Sequence, residues 1–233
     1  MVEVKHYLSI IKEEINLAFK NNMNLLLLSI LLFMLPALVG YFYPDAIADL
    51  VQPILDNFQK QVADGTIALS TSSLFTNNVT VAIMIYALTA LGGILGAIIL
   101  ANNGLFVGFF GTKINIWAYL ALTLPHGIFE IPAIIISATG GFVLLSFILH
   151  FIWNLISPDY SYLDVFDPYF SDVKISVKDR FVAAFKKNQK KLKESFVLLC
   201  VSVVLLIIAA FIEANITISL AQGLFSLFGY SLI

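Results

Sequence analysis

From residue 25 to residue 43 the chain carries no charged side chain, and apolar runs of similar length recur as far as residue 214. At 1.5 Å per residue such a run spans roughly the 30 Å hydrocarbon core of a bilayer. With no water in that core, each backbone N–H and C=O must be satisfied within its own segment, which makes the runs helices. Composition points the same way. The 233 residues are 60% hydrophobic and 12% charged, where soluble domains carry about 25% charged residues. The chain therefore reads as one all-α membrane domain over residues 1–233, a polytopic transmembrane bundle.

Five spans are expected, at residues 25–43, 79–100, 105–124, 128–156 and 196–214. Residues 216–233 are apolar but rich in Gly and Ser. They read as an interfacial helix, with a sixth span as the alternative. Pro36 falls inside the first span, where neighbouring helices can tolerate it. Asn102-Asn103-Gly104 interrupts the apolar run between the second and third spans, and Pro125-His126-Gly127 marks a turn before the fourth.

Two further segments have helical periodicity with a polar face. In residues 1–22, Tyr7, Leu8, Ile11, Ile15 and Ala18 share one side, with Lys and Glu between them. In residues 44–77, Ile47, Leu50, Val51, Ile54 and Leu55 oppose Asp45, Asp49 and Asp56, ahead of a Ser/Thr-rich loop that ends at Asn77-Asn78. Both read as amphipathic surface helices. The opening residues are acidic and lack an apolar core, so they do not resemble a cleaved signal peptide.

Basic residues set the expected orientation. Three of the 13 Lys and Arg precede residue 21 and eight lie between Lys174 and Lys193. Five spans with a cytoplasmic N-terminus place both groups in the cytoplasm, residues 157–194 as a basic loop and residues 44–77 outside the cell membrane. The run Lys186, Lys187, Lys190, Lys191 and Lys193 then anchors to acidic lipid headgroups; no nucleic acid partner is expected. Lys113 falls inside the third apolar run. The single cysteine, Cys200, excludes an intramolecular disulfide.

Small residues at close-packing spacing, Gly92-x-x-x-Gly96 and Gly104-x-x-x-Gly108, predict tight contact between central helices or across a homodimer. Ionisable groups are costly in a bilayer and usually pair or serve a site. His126 and Glu130, four residues apart, share a helical face if the helix already includes His126, a start that Pro125 at the first helical position would suit. Glu213 lies near the end of the fifth span. With the expected topology they reach the outer half of the membrane together with Asn77 and Asn78, while Asn103 falls on the inner side. One imidazole and two carboxylates can bind zinc or another divalent ion with water in a fourth position. They can equally form a structural hydrogen-bond network, or sit wet at the headgroups. No P-loop, HExxH or CxxC motif occurs. Asn78-Val79-Thr80 and Asn215-Ile216-Thr217 match the glycosylation pattern, yet both sit too near the expected membrane surfaces to count.

Asn77-Asn78-x-x-x-Ala82, Gly92-x-x-x-Gly96, Asn103-Gly104-x-x-x-Gly108 and Pro125-His126-Gly127-x-x-Glu130-Ile131-Pro132-Ala133 together resemble the stage II sporulation protein M family. The last segment is the most specific, and the likeness covers residues 70–215, with Glu213 fitting the family's last helix. The resemblance implies an integral membrane protein with no firmly assigned enzyme activity. In spore-forming bacteria the namesake works in engulfment beside peptidoglycan-degrading partners, but many members belong to organisms that never sporulate. The expected function is thus a non-enzymatic, homodimeric membrane scaffold that positions envelope proteins. Two alternatives stand beside it: a metal-binding intramembrane protein or hydrolase built on His126, Glu130 and Glu213, and a small permease.

Overall fold

A computed structural model describes residues 2–63, 71–157 and 176–217. These form seven helices: α1 (Val2–Asn21), α2 (Met23–Phe42), α3 (Pro44–Ala63), α4 (Thr71–Ala90), α5 (Ile94–Phe110), α6 (Ile116–Ile156) and α7 (Val177–Ile212). A wider, π-helical turn, Glu213–Thr217, extends α7. There is no strand among the described residues. The expected all-α membrane bundle is what folds. Helices α2, α4, α6 and α7 are long and apolar enough to cross a membrane, and α5 is a shorter apolar helix. Its 17 residues reach about 25 Å. Leu27, Leu31, Leu124, Ile128, Ile207 and Phe211 are each more than half exposed or close to it. So much apolar surface fits lipid and not water.

The helix boundaries differ from the sequence expectation in four places. The expected break at Asn102-Asn103-Gly104 is continuous helix: Asn103 donates its amide to Ile99 O (2.8 Å) within α5. The chain turns instead at Gly92-Gly93, where Gly93 adopts φ 82°, a backbone that other residues rarely take. Pro125-His126-Gly127 is likewise no turn, because α6 runs through both Pro125 and Pro132. The turn falls earlier, and Asn115 caps α6 by accepting from Trp117 N (2.9 Å). Residues 71–77, expected as loop, already belong to α4, so Asn77 and Asn78 are helical. Residues 177–194, expected as a polar loop, are the first half of α7. Ser176 and Asp179 start that helix with a reciprocal capping box. The rest of that loop (158–175) and nearly all of the C-terminal stretch (218–233) lie outside the described residues.

Close approach organises the packing. Gly104 meets the backbone of Phe33, and Gly108 meets that of Ala37, so α2 and α5 run parallel. A methyl group at Gly108 would collide with the Ala37 carbonyl. Gly96 sits against Thr89 of α4, and Gly141 against Tyr86 and Thr89. The glycine motifs are therefore spent within the chain, except Gly92, which faces open space.

Hydroxyls tie α4, α6 and α7 together. Ser137 donates to Ala82 O (2.6 Å) and Ser202 to Ala133 O (2.7 Å). Ser195 donates to Gly140 O (2.8 Å) and lies 2.7 Å from the Tyr86 hydroxyl. At the end of the bundle where Lys191 reaches Ser146 (2.7 Å), Glu194 is buried. It accepts from the amides of Asn21 (2.6 Å) and Asn22 (2.9 Å), which docks the junction of α1 and α2 on α7. Lys193 adds a 2.6 Å ion pair with Glu14 of α1.

Candidate functional site

Toward the end opposite the lysines the bundle opens around a cavity of about 510 Å³. Its polar lining gathers Asn77 and Asn78 of α4, Asn103 of α5, His126 and Glu130 of α6, and Glu213 and Thr217 from the end of α7. Phe33 and Ile134 belong to its apolar floor, while Ile54 of α3 reaches its edge. Asn77 is exposed, so the chamber communicates with its surroundings along α4.

Each polar group is placed by its helix. His126 and Glu130 sit one turn apart on α6, with Nε2 of the imidazole 3.8 Å from a carboxylate oxygen. That pairing follows from the four-residue spacing. It requires that the helix already include His126, which α6 does by running through Pro125 instead of starting there. Glu213 begins the π-helical turn, and Thr217, four residues on, lies 3.4 Å from His126 Nδ1. The Thr217 hydroxyl lies 3.4 Å from Ile212 O as well, and when it donates there its oxygen can accept from Nδ1–H. In that tautomer Nε2 turns a lone pair toward Glu130, and two acceptors facing one another call for a cation or a proton between them.

The liganding atoms of His126, Glu130 and Glu213 all lie within 4.8 Å of one another. Ligands on a tetrahedral zinc ion at 2.0–2.2 Å stand about 3.4 Å apart. The trio thus needs only small side-chain rotations to close on an ion. Two carboxylates brought together where solvent is scarce repel, and a divalent cation relieves both the repulsion and the desolvation.

The three residues singled out as a possible metal set do converge. So do Asn77 and Asn78. Asn103, expected on the opposite side of the membrane, lines the same chamber, because the real turn at Gly93 shifts it to mid-helix. The four glycines do not share this role: Gly96, Gly104 and Gly108 pack helices and Gly92 lies at a turn. Thr217, Thr123 and Tyr119, whose hydroxyl donates to Val107 O (3.2 Å), also line the site. No spacing signal in the sequence marks these three. Lys113 lies in the α5–α6 turn, not inside a span, with its ammonium 4.2 Å from the centre of the Phe109 ring.

Fold and site together define a polytopic helical membrane protein with a polar chamber set in one half of the bundle. Residues 29–218 match the profile described as stage II sporulation protein M, and the chain belongs to that family. Among curated proteins it is similar to two uncharacterized proteins of Methanocaldococcus jannaschii. With MJ0706 it shares 31% identity over 203 residues, 84% of this chain and 79% of that protein. With MJ0793 it shares 27% over 208 residues, 85% of this chain and 97% of that protein. No solved structure matches the chain.

Proposed function

We propose that this chain is a metal-dependent membrane protein whose working centre is the chamber. A divalent transition metal, zinc by its ligand chemistry, is held by His126, Glu130 and Glu213. The observation that carries the reading is the convergence of those three ligand atoms within 4.8 Å, on two helices, at the wall of a cavity. Three protein ligands leave a further position open toward the chamber, the pattern of a working site and not of a closed structural one. The carboxamides of Asn77, Asn78 and Asn103 offer donors and acceptors to a bound molecule, and the apolar floor suits an amphiphile. With metal bound, such a site can polarise a carbonyl or activate water.

Two other readings were raised by the sequence. A permease needs a path through the bundle, yet beyond Ile134 the helices close on one another through Ser137–Ala82 and the Gly140, Gly141, Tyr86 and Thr89 contacts. A scaffold reading has one feature in its favour. Helix α3 exposes Leu50 and Ile54 beside Asp45, Asp49 and Asp56, a face a partner could use at the envelope surface. If deleting residues 45–62 changes which proteins co-purify, the scaffold reading gains at the expense of the chamber.

The test of the main reading is elemental analysis of detergent-purified protein prepared without chelators, beside His126→Ala and Glu130→Ala variants. Near-stoichiometric metal in the native chain, lost in both variants at unchanged gel-filtration behaviour, supports the site. A native chain without metal, which also shows no thermal stabilisation when zinc is added, overturns it.

A further inference from the structure

Helix α5 uses most of its circumference inside the molecule. Gly104 and Gly108 face α2, Gly96 and Leu100 are buried toward α4, and Asn103 lines the chamber. What remains is a stripe of Leu95, Ile98 and Asn102, spaced three and four residues apart and therefore on one face. Leu95 is 59% exposed and Ile98 50%, and Asn102 is exposed with them. Two of these side chains suit lipid. The third does not.

Asn102 is the ninth of the 17 residues of α5, about 12 Å from either end of the helix. A side chain this short cannot reach headgroup water from there, as a lysine or arginine can. Its neighbour Asn103 satisfies an amide proton on Ile99 O, whereas Asn102 makes no side-chain hydrogen bond among the described residues. A carboxamide left bare in hydrocarbon forfeits donors and an acceptor that water would have satisfied.

We propose that two copies of this chain pair through this face of α5, with the Asn102 carboxamides bonded to each other across a two-fold axis. The occupant follows from the group itself. A carboxamide carries both a donor and an acceptor, so it is complementary to its own image, as a two-fold contact requires. Both copies insert with the same orientation, which makes the paired α5 helices parallel and sets Ile98 against Ile98. The glycine motifs cannot serve as this seam, since Gly96, Gly104 and Gly108 are covered by the chain's own helices. The pairing does not depend on the metal reading.

Cysteine crosslinking in native membranes tests it, because Cys200 is the chain's single cysteine. In a Cys200→Ser background, Ile98→Cys is expected to give a disulfide-linked dimer under mild oxidant. Ile207→Cys, on the exposed face of α7, is the control expected to stay monomeric. Adding Asn102→Leu to the Ile98→Cys chain should weaken pairing on the order of tenfold, while Asn102→Gln should retain it. The proposal is overturned if Ile98→Cys crosslinks no better than the control. It is equally overturned if Asn102→Leu leaves the crosslink unchanged.

Discussion

The two halves of this bundle treat polar groups in opposite ways. Toward the lysine-rich end, most hydroxyls between α4, α6 and α7 have a short-range partner: Ser195 with Gly140 and Tyr86, Ser137 with Ala82, Ser202 with Ala133; the exception is the buried Thr89 hydroxyl, which has none. Glycines let the backbones touch, and Glu194, the one buried acid there among the described residues, accepts hydrogen bonds from two amides and is approached by Lys190 at 3.8 Å. In the other half the helices part around about 510 Å³, and two carboxylates and an imidazole gather with few fixed partners. Lipid gives no hydrophobic push to bring helices together, so stability in a membrane comes from close packing and satisfied hydrogen bonds. The chamber half gives up both, which is the contrast the proposed function rests on.

The sharpest way to break that contrast is to fill a contact in the packed region. Gly141→Leu drives a side chain into the Tyr86 carbonyl and Thr89 of α4, and overpacking of this kind costs about 3 kcal/mol. The expected outcome is loss of the monodisperse gel-filtration peak, while Gly92→Ala, with nothing near its Cβ position, behaves as the native chain. A smaller loss is expected from Ser195→Ala. It removes the donor to Gly140 O and strands the Tyr86 hydroxyl, at a cost of about 0.6–1.7 kcal/mol for a hydrogen bond in a membrane. Thermal unfolding in detergent, followed by circular dichroism, should show a lower midpoint of a few degrees. Least of all should come from the chamber. Glu213→Gln removes one of two mutually repelling carboxylates, and without metal the midpoint is expected to hold or rise by up to about 1 kcal/mol equivalent. A fall as large as that of Ser195→Ala would mean that the ionisable trio is structural after all.

Much of the architecture could be read directly. Hydropathy alone gave the membrane bundle, and periodicity gave α1 and α3. The four-residue spacing of His126 and Glu130 foretold their pairing. The connections between α4, α5 and α6 could not be read in the same way. Asn102-Asn103-Gly104 and Pro125-His126-Gly127 carry the residues that break helices in water, yet both lie inside helices here. In lipid the backbone has no solvent to bond to once it leaves the helix, so a helix persists through residues that would end it elsewhere. The true turn, at Gly92-Gly93, was masked as a packing motif.

By itself the sequence determined the solvent of this protein, its helical class and the stretches that cross or line the membrane, because burial of backbone polar groups in lipid admits little else. It also marked His126, Glu130 and Glu213 as residues whose charge needs a reason. Only the tertiary structure decided that these three meet, through a continuous α6 and the π-helical turn after α7, and that Asn103 joins them. The same packing left Asn102 facing out. Neighbouring asparagines on one helix differ by a rotation of about 100°, and which of them looks inward depends on where the glycines let the helices touch.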